Sequence, residues 1–76
     1  MPGRLPRVTA DQVLRALRRD GWIIDDQEGS HIALRNAHKS GYVTVPYHRG
    51  RTLRLKTLTS ILRQAGLTVD EFRALL

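Results

Sequence analysis

The sequence predicts an α+β fold, a single small domain of order α-β-β-β-α(-α) with a three-stranded antiparallel sheet carrying its helices on one face. Three observations predict it. Apolar residues recur at helical spacing in two separated segments, around Ala10 to Leu17 and Leu58 to Ala65. Between them, two short stretches alternate apolar and polar residues with period two. The strands are consecutive and separated only by polar turns, which joins antiparallel neighbours and leaves each strand one apolar face to cover. With 76 residues the chain lies near the lower limit for unaided folding, because so short a chain buries only about 60% of its unfolded surface. One domain over 1–76 is expected, with 1–8 as a flexible N-terminal lead.

Taken in order, Thr9-Ala10-Asp11-Gln12 has the form of a capping box and should start the first helix. Ala10, Val13, Leu14 and Leu17 make its apolar stripe, with Arg15, Arg18 and Arg19 on other faces. Asp20-Gly21 ends it, glycine taking the left-handed cap without steric cost. Trp22-Ile23-Ile24 then reads as a short strand with Trp22 in the core, and Asp25 to Gly29 as the turn after it. His31 to Arg35 is the second strand, with Ile32 and Leu34 on one face and His31, Ala33 and Arg35 on the other. Asn36 to Gly41 supplies the next turn. Tyr42 to Pro46 is the third strand, Val43 and Val45 facing inward, and Pro46 suits a strand end because it cannot donate to a ladder. A hairpin symmetric about 36–41 pairs Arg35 with Tyr42, Ala33 with Thr44 and His31 with Pro46. It also places His48 diagonal to His31, roughly 7–8 Å away between backbones if strand geometry persists. After a loop from Tyr47 to Lys56, the stripe Leu58, Ile61, Leu62 and Ala65 defines a helix over Thr57 to Ala65 that Gly66 closes. Thr68-Val69-Asp70-Glu71 is a second capping box and opens a last short helix with Phe72, Leu75 and Leu76.

Composition narrows the function. The chain is 41% hydrophobic and 26% charged, with a mean hydropathy of −0.35, which fits a water-soluble globular protein. Cysteine is absent, so neither a disulfide framework nor a thiolate metal site is available. No apolar run reaches signal-peptide or membrane-spanning length, and a cytoplasmic location is expected. Thirteen Lys and Arg against seven Asp and Glu give +6 and an isoelectric point near 11.1, which favours a polyanionic partner through counterion release. Arg49, Arg51, Arg54 and Lys56 crowd one loop. A solvated basic surface is the plainer alternative.

Gly29-Ser30-His31 places a histidine at the start of a strand. On the residues alone, a strand-end histidine bonded to its neighbouring turn is the plainer reading, with Ser30 serving only to satisfy a turn backbone group. Asp25, Asp26 and Glu28 invite a magnesium site, but adjacent acids in a turn are ordinarily solvated. Serine-hydrolase chemistry lacks an elbow motif and an acid partner. His38 reads as an exposed loop residue, and Tyr42 and Tyr47 are candidates to stack on unpaired bases.

Gly21-Trp22 after a helix, Gly29-Ser30-His31 opening a strand, Val43-Thr44-Val45-Pro46 followed by His48, and Thr57 to Leu67 resemble the HicA family in order and spacing, from about Thr9 onward. The resemblance implies a double-stranded-RNA-binding-like fold and a toxin that cleaves mRNA, held inactive by a HicB-type antitoxin protein. It further implies that His31 is the catalytic residue. Two departures stand out. Asp25, Asp26 and Glu28 make the approach to His31 acidic where the family is commonly basic, and Lys56 stands where a glycine is frequent. The acidic approach should either point away from the phosphate path or lower RNA affinity.

The chemistry is consistent with that implication. RNA carries its own nucleophile, the 2′-hydroxyl, so cleavage needs a base for that proton, an acid for the leaving 5′-oxygen and cations around the phosphorane. No metal, cofactor or membrane is called for. Histidine, with an ordinary pKa near 6.5, suits proton transfer at neutral pH. His31 is then the general base or acid, Gly29 lets the backbone approach the phosphate, Ser30 hydrogen-bonds it, and His48 is a candidate for the complementary role. Arg35, Arg49, Arg51, Arg54 and Lys56 are the expected RNA contacts. Two other readings remain open: a non-catalytic basic RNA-binding module, and a protein-interaction element presenting Leu58, Leu75 and Leu76.

Overall fold

The computed structural model describes residues 4–76. The chain runs α1 (Ala10–Arg19), β1 (Trp22–Glu28), β2 (His31–Asn36), β3 (Lys39–Pro46), α2 (Leu55–Ala65) and α3 (Val69–Leu75). Its strands form one antiparallel sheet in the order β1-β2-β3, as the sequence predicts. One core joins Val13, Leu14 and Leu17 of α1, Ile32, Leu34, Val43 and Val45 of the sheet, and Leu58, Ile61 and Leu62 of α2. The helices therefore cover one sheet face and leave the other open.

Both expected capping boxes are present. At α1 the Gln12 amide donates to the Thr9 hydroxyl at 3.3 Å, and the Thr9 N–H donates to the Gln12 side chain at 2.8 Å. Thr9→Ala should cost about 1 kcal/mol. Urea unfolding checks this as a lower midpoint with an unchanged slope. At α3 the pair is Thr68 and Glu71. The Thr68 backbone N–H and hydroxyl hold the Glu71 carboxyl below its usual range. This support for α3 is present above the ordinary carboxylate pKa and is lost as pH falls through the lowered one.

The end of α1 is tied to the sheet by Asp20. Its carboxylate accepts from the Trp22 indole at 3.1 Å and from Lys39 Nζ at 2.7 Å, and its carbonyl accepts from Asn36 Nδ2 at 2.9 Å. Lys39 also donates to the Ala65 carbonyl, so this cation is engaged within the fold. Gly21 adopts φ +96°, and a side chain there would also press on Asn36. Trp22 is buried, as expected.

Several boundaries differ from the sequence expectation. The turn predicted over Asp25 to Gly29 is shorter, since β1 continues through Glu28 and only Gly29-Ser30 turn. Acidic residues have poor strand propensity, but an edge strand with open solvent tolerates them while its backbone pairs with β2. The turn predicted over 36–41 shrinks likewise to Ala37-His38. Ser40 and Gly41 are absorbed in a register irregularity with Gly41 at φ +82°. The second long helix starts at Leu55 instead of Thr57, because its cap, Arg54, supplies no side-chain bond and so leaves no capping signature in the sequence.

Leu58 is fully buried (0% exposed) and packs in the core, which corrects its assignment to an exposed interaction surface. Of the lead over 1–8, residues 1–3 lie outside the described residues. Val8 is buried, its carbonyl accepts from Leu53 N–H at 2.8 Å, and Thr9 bridges Thr52.

Candidate active site and basic loop

A two-residue connection between β1 and β2 fixes His31. Gly29 has φ +60° while Ser30 does not have a positive φ, the pattern of a type II′ turn, whose twist matches that of antiparallel strands. Glu28 and His31 flank it as a cross-strand pair, and His31 pairs with Pro46 on its other side. The predicted partners, His31 with Pro46, Ala33 with Thr44 and Arg35 with Tyr42, are those observed. Ile32 and Leu34 are buried and His31 and Arg35 are exposed, so the histidine stands on the sheet face that no helix covers.

A bulge in β1 decides where the acids go. Ile24 pairs with Leu34 and Asp26 with Ala33, which leaves Asp25 as the extra residue. Because side chains alternate along a strand, that one residue turns Asp26 and Glu28 to the open face beside Ala33 and His31. Without it they would face the core. Asp25 forms an ion pair with Arg35 Nε at 3.1 Å. Neither the bulge nor this pair was foreseen, although a two-residue Gly-Ser turn, which must pair Glu28 with His31, is the signal that carries β1 back through the acidic run.

The basic loop is anchored at both ends and in the middle. Tyr47 N–H donates to the Ser30 carbonyl at 2.6 Å, extending the ladder past Pro46. The Tyr47 phenol donates to Asp11 at 3.2 Å, and that bond raises its pKa. Tyr47 is half-buried and so engaged, not free to stack on bases. His48 to Arg51 is a turn closed by Arg51 N–H to the His48 carbonyl at 3.1 Å, with Gly50 at φ +74° as a type II turn requires. Leu53 is then buried, which leaves Arg51 and Arg54 on either side of it exposed.

Pro46, His48, Arg51, Thr52, Leu53, Arg54 and Thr57 line a cleft of about 320 Å³. Arg49 and Lys56 are exposed beside it. The cleft brings His48, Arg51 and Arg54 together at the start of α2, whose first turn has no acidic residue. His31 is not among its lining residues, but its strand partner Pro46 is. Arg35 stands apart, on the open sheet face.

Among the described residues no group of three His, Cys, Asp or Glu side chains is placed to hold a metal ion. No described helix is long and apolar enough to cross a membrane.

Fold and site together define a small basic α+β domain that presents a histidine from a glycine-serine turn on an open sheet face, beside an arginine-rich loop. The family model described as the HicA toxin of bacterial toxin-antitoxin matches residues 10–67 of the 76. The chain belongs to the HicA toxin family, as the motif order in the sequence indicates. Membership gives it the role of a toxin with an antitoxin as counterpart. A comparison with curated proteins finds no match.

Proposed function

We propose that the chain acts as one HicA-like domain over 1–76, a metal-independent endoribonuclease that cleaves mRNA in the cytoplasm and is inhibited by a HicB-type antitoxin. The observation that carries this reading is the placement of His31, exposed at the first position of β2 on the uncovered sheet face, in a chain of a toxin family. In this reading His31 moves a proton to or from the reacting oxygens. The 2′-hydroxyl attacks the adjacent phosphorus, the bond to the 5′-oxygen breaks, and that oxygen takes up a proton. The positive φ of Gly29 and the open space around it let the phosphate approach the turn, and Ser30 bonds it. His48 is the candidate for the complementary proton transfer. Arg49, Arg51, Arg54 and Lys56 neutralise the flanking phosphates, with Arg35 a further contact once released from Asp25.

A non-catalytic RNA-binding module is the second reading, favoured by the density of exposed arginine around the cleft. Incubating the protein with labelled RNA in excess chelator separates the two. The nuclease reading expects many product molecules per protein, whereas a salt-sensitive mobility shift without product leaves only the binder.

The ion pair of Arg35 supplies a further expectation. Exposed pairs of this kind contribute only about 0–1 kcal/mol to stability. Asp25→Asn should therefore leave the fold unchanged, raise RNA affinity several-fold and steepen the dependence of log affinity on log salt by about one. Salt titrations of binding in a His31→Ala background measure it, and an unchanged slope contradicts a phosphate role for Arg35.

A further inference from the structure

The open sheet face carries two exposed side chains that phosphate chemistry does not use. Its two most exposed large apolar side chains, Tyr42 (58%) and Ile23 (55%), are the cross-strand partners of Arg35 on either side. Ile23, Arg35 and Tyr42 thus form one row across all three strands, about 10 Å from end to end. Arg35 is restrained by Asp25, and beside it a shallow hollow of about 150 Å³ is lined by Ile23, Arg35, Asn36 and Ala37. Among the described residues no other element covers Ile23 or Tyr42.

Resting on the nuclease reading above, we infer that this row is a stacking subsite for an unpaired nucleobase of single-stranded RNA, flanking the phosphate held at His31. The chemistry of the row fits a base. An aromatic ring, a planar guanidinium and an apolar edge offer flat contact with any base, and stacking of this kind tolerates sequence variation because every base has a π-face.

Position fits as well. Arg35 and His31 lie four residues apart on one face of β2, roughly 13 Å along the strand, so one strand of RNA can reach both. Charge sets the direction of the chain. Asp25, Asp26 and Glu28 repel phosphates along β1, while the cations gather beyond β3 in the loop to α2. The sugar-phosphate backbone then follows the β3 side, and its bases project over the sheet towards Tyr42 and Arg35. A duplex, whose bases are already stacked, does not offer this contact.

The test is a binding cycle with the full chain carrying His31→Ala, so that RNA stays intact, and a short single-stranded oligoribonucleotide. Tyr42→Ala should weaken binding about tenfold or more, and Tyr42→Phe should not. Abasic nucleotides are then walked outward from the cleaved phosphate. At one position the missing base should cost the Tyr42-containing protein the same factor and cost the Tyr42→Ala protein nothing further. Equal affinity of the Tyr42 and Tyr42→Ala proteins, or an abasic scan with no such position, overturns the subsite. So does a loss confined to antitoxin binding, which would assign the row to the protein partner. Should Tyr42→Ala misfold, the abasic scan on the Tyr42-containing protein and Tyr42→Phe decide. Parallel cleavage by the unsubstituted protein keeps the two readings apart: active enzyme with no stacking position loses the subsite alone, and absence of cleavage loses the nuclease reading.

Discussion

Replacing His31 with alanine should lower the rate of RNA cleavage by about 10²–10⁴-fold, the range typical for losing a positioned proton-transfer group. The fold should survive. His31 is exposed, and its Cβ points away from Ile32 and Leu34, which carry the packing of β2. The stability change is therefore expected within about 0.5 kcal/mol, as for surface substitutions away from caps and cores. Single-turnover cleavage and thermal melting of the same preparation measure both. A fall in cleavage accompanied by an equal fall in stability would point to a structural histidine, and undiminished cleavage would remove it from the chemistry. RNA affinity gives a third readout, since a proton-transfer residue alters rate more than binding.

Phe72→Ala should produce the largest loss of stability, about 3–5 kcal/mol. Phe72 lies in α3, beyond the 10–67 span of the family match, yet it is 0% exposed and belongs to the same core as Leu17 and Leu58. Two contacts reinforce that position: Arg19 Nη1 donates to the Leu75 carbonyl at 2.7 Å, and the Thr68 and Glu71 box starts the helix. Native stability is roughly 0.05–0.15 kcal/mol per residue, so in so short a chain the loss is a large share of the total. Denaturant unfolding should show a much lower midpoint, whereas Leu76→Ala, at an exposed position, should shift it little. Similar midpoints for both variants would mean that α3 only decorates the domain.

The helices and the central hairpin were legible because each rests on a local pattern. Thr9 with Gln12, Thr68 with Glu71, and the glycines at 21 and 66 mark ends that the structure keeps. The alternation of β2 and β3 fixed both the pairing of His31 with Pro46 and the exposure of the histidine. What the patterns missed depends on contacts distant in sequence. Asp25 to Glu28 look like a turn, yet backbone bonds to β2 hold them in a strand, and a bulge sets their face. Arg35 looks like a free cation until Asp25 is placed beside it. Tyr47 looks available to stack on bases, but its phenol is held by Asp11. The diagonal approach of His48 to His31 assumed strand geometry as far as His48, whereas β3 ends at Pro46. His48 lines the cleft with Arg51 and Arg54.

The acidic approach to His31 has a physical consequence of its own. With Asp26 and Glu28 turned to the open face, a polyanion would be repelled from one side of the histidine and attracted from the other. On the proposed reading the same polarity bears on the antitoxin, which would cover His31 and meet cations on the loop side. An acidic antitoxin surface there would associate faster at low salt.

The most direct test of the account is cleavage by the purified chain, in excess chelator, of an oligoribonucleotide and of the same oligomer carrying a single 2′-deoxynucleotide at the cleaved position. Attack by the RNA's own hydroxyl, assisted by His31, predicts a 2′,3′-cyclic phosphate and a 5′-hydroxyl from the first and no cut at that position in the second. Cleavage of the deoxy-substituted oligomer at the same bond, or ends bearing a 5′-phosphate, would contradict it.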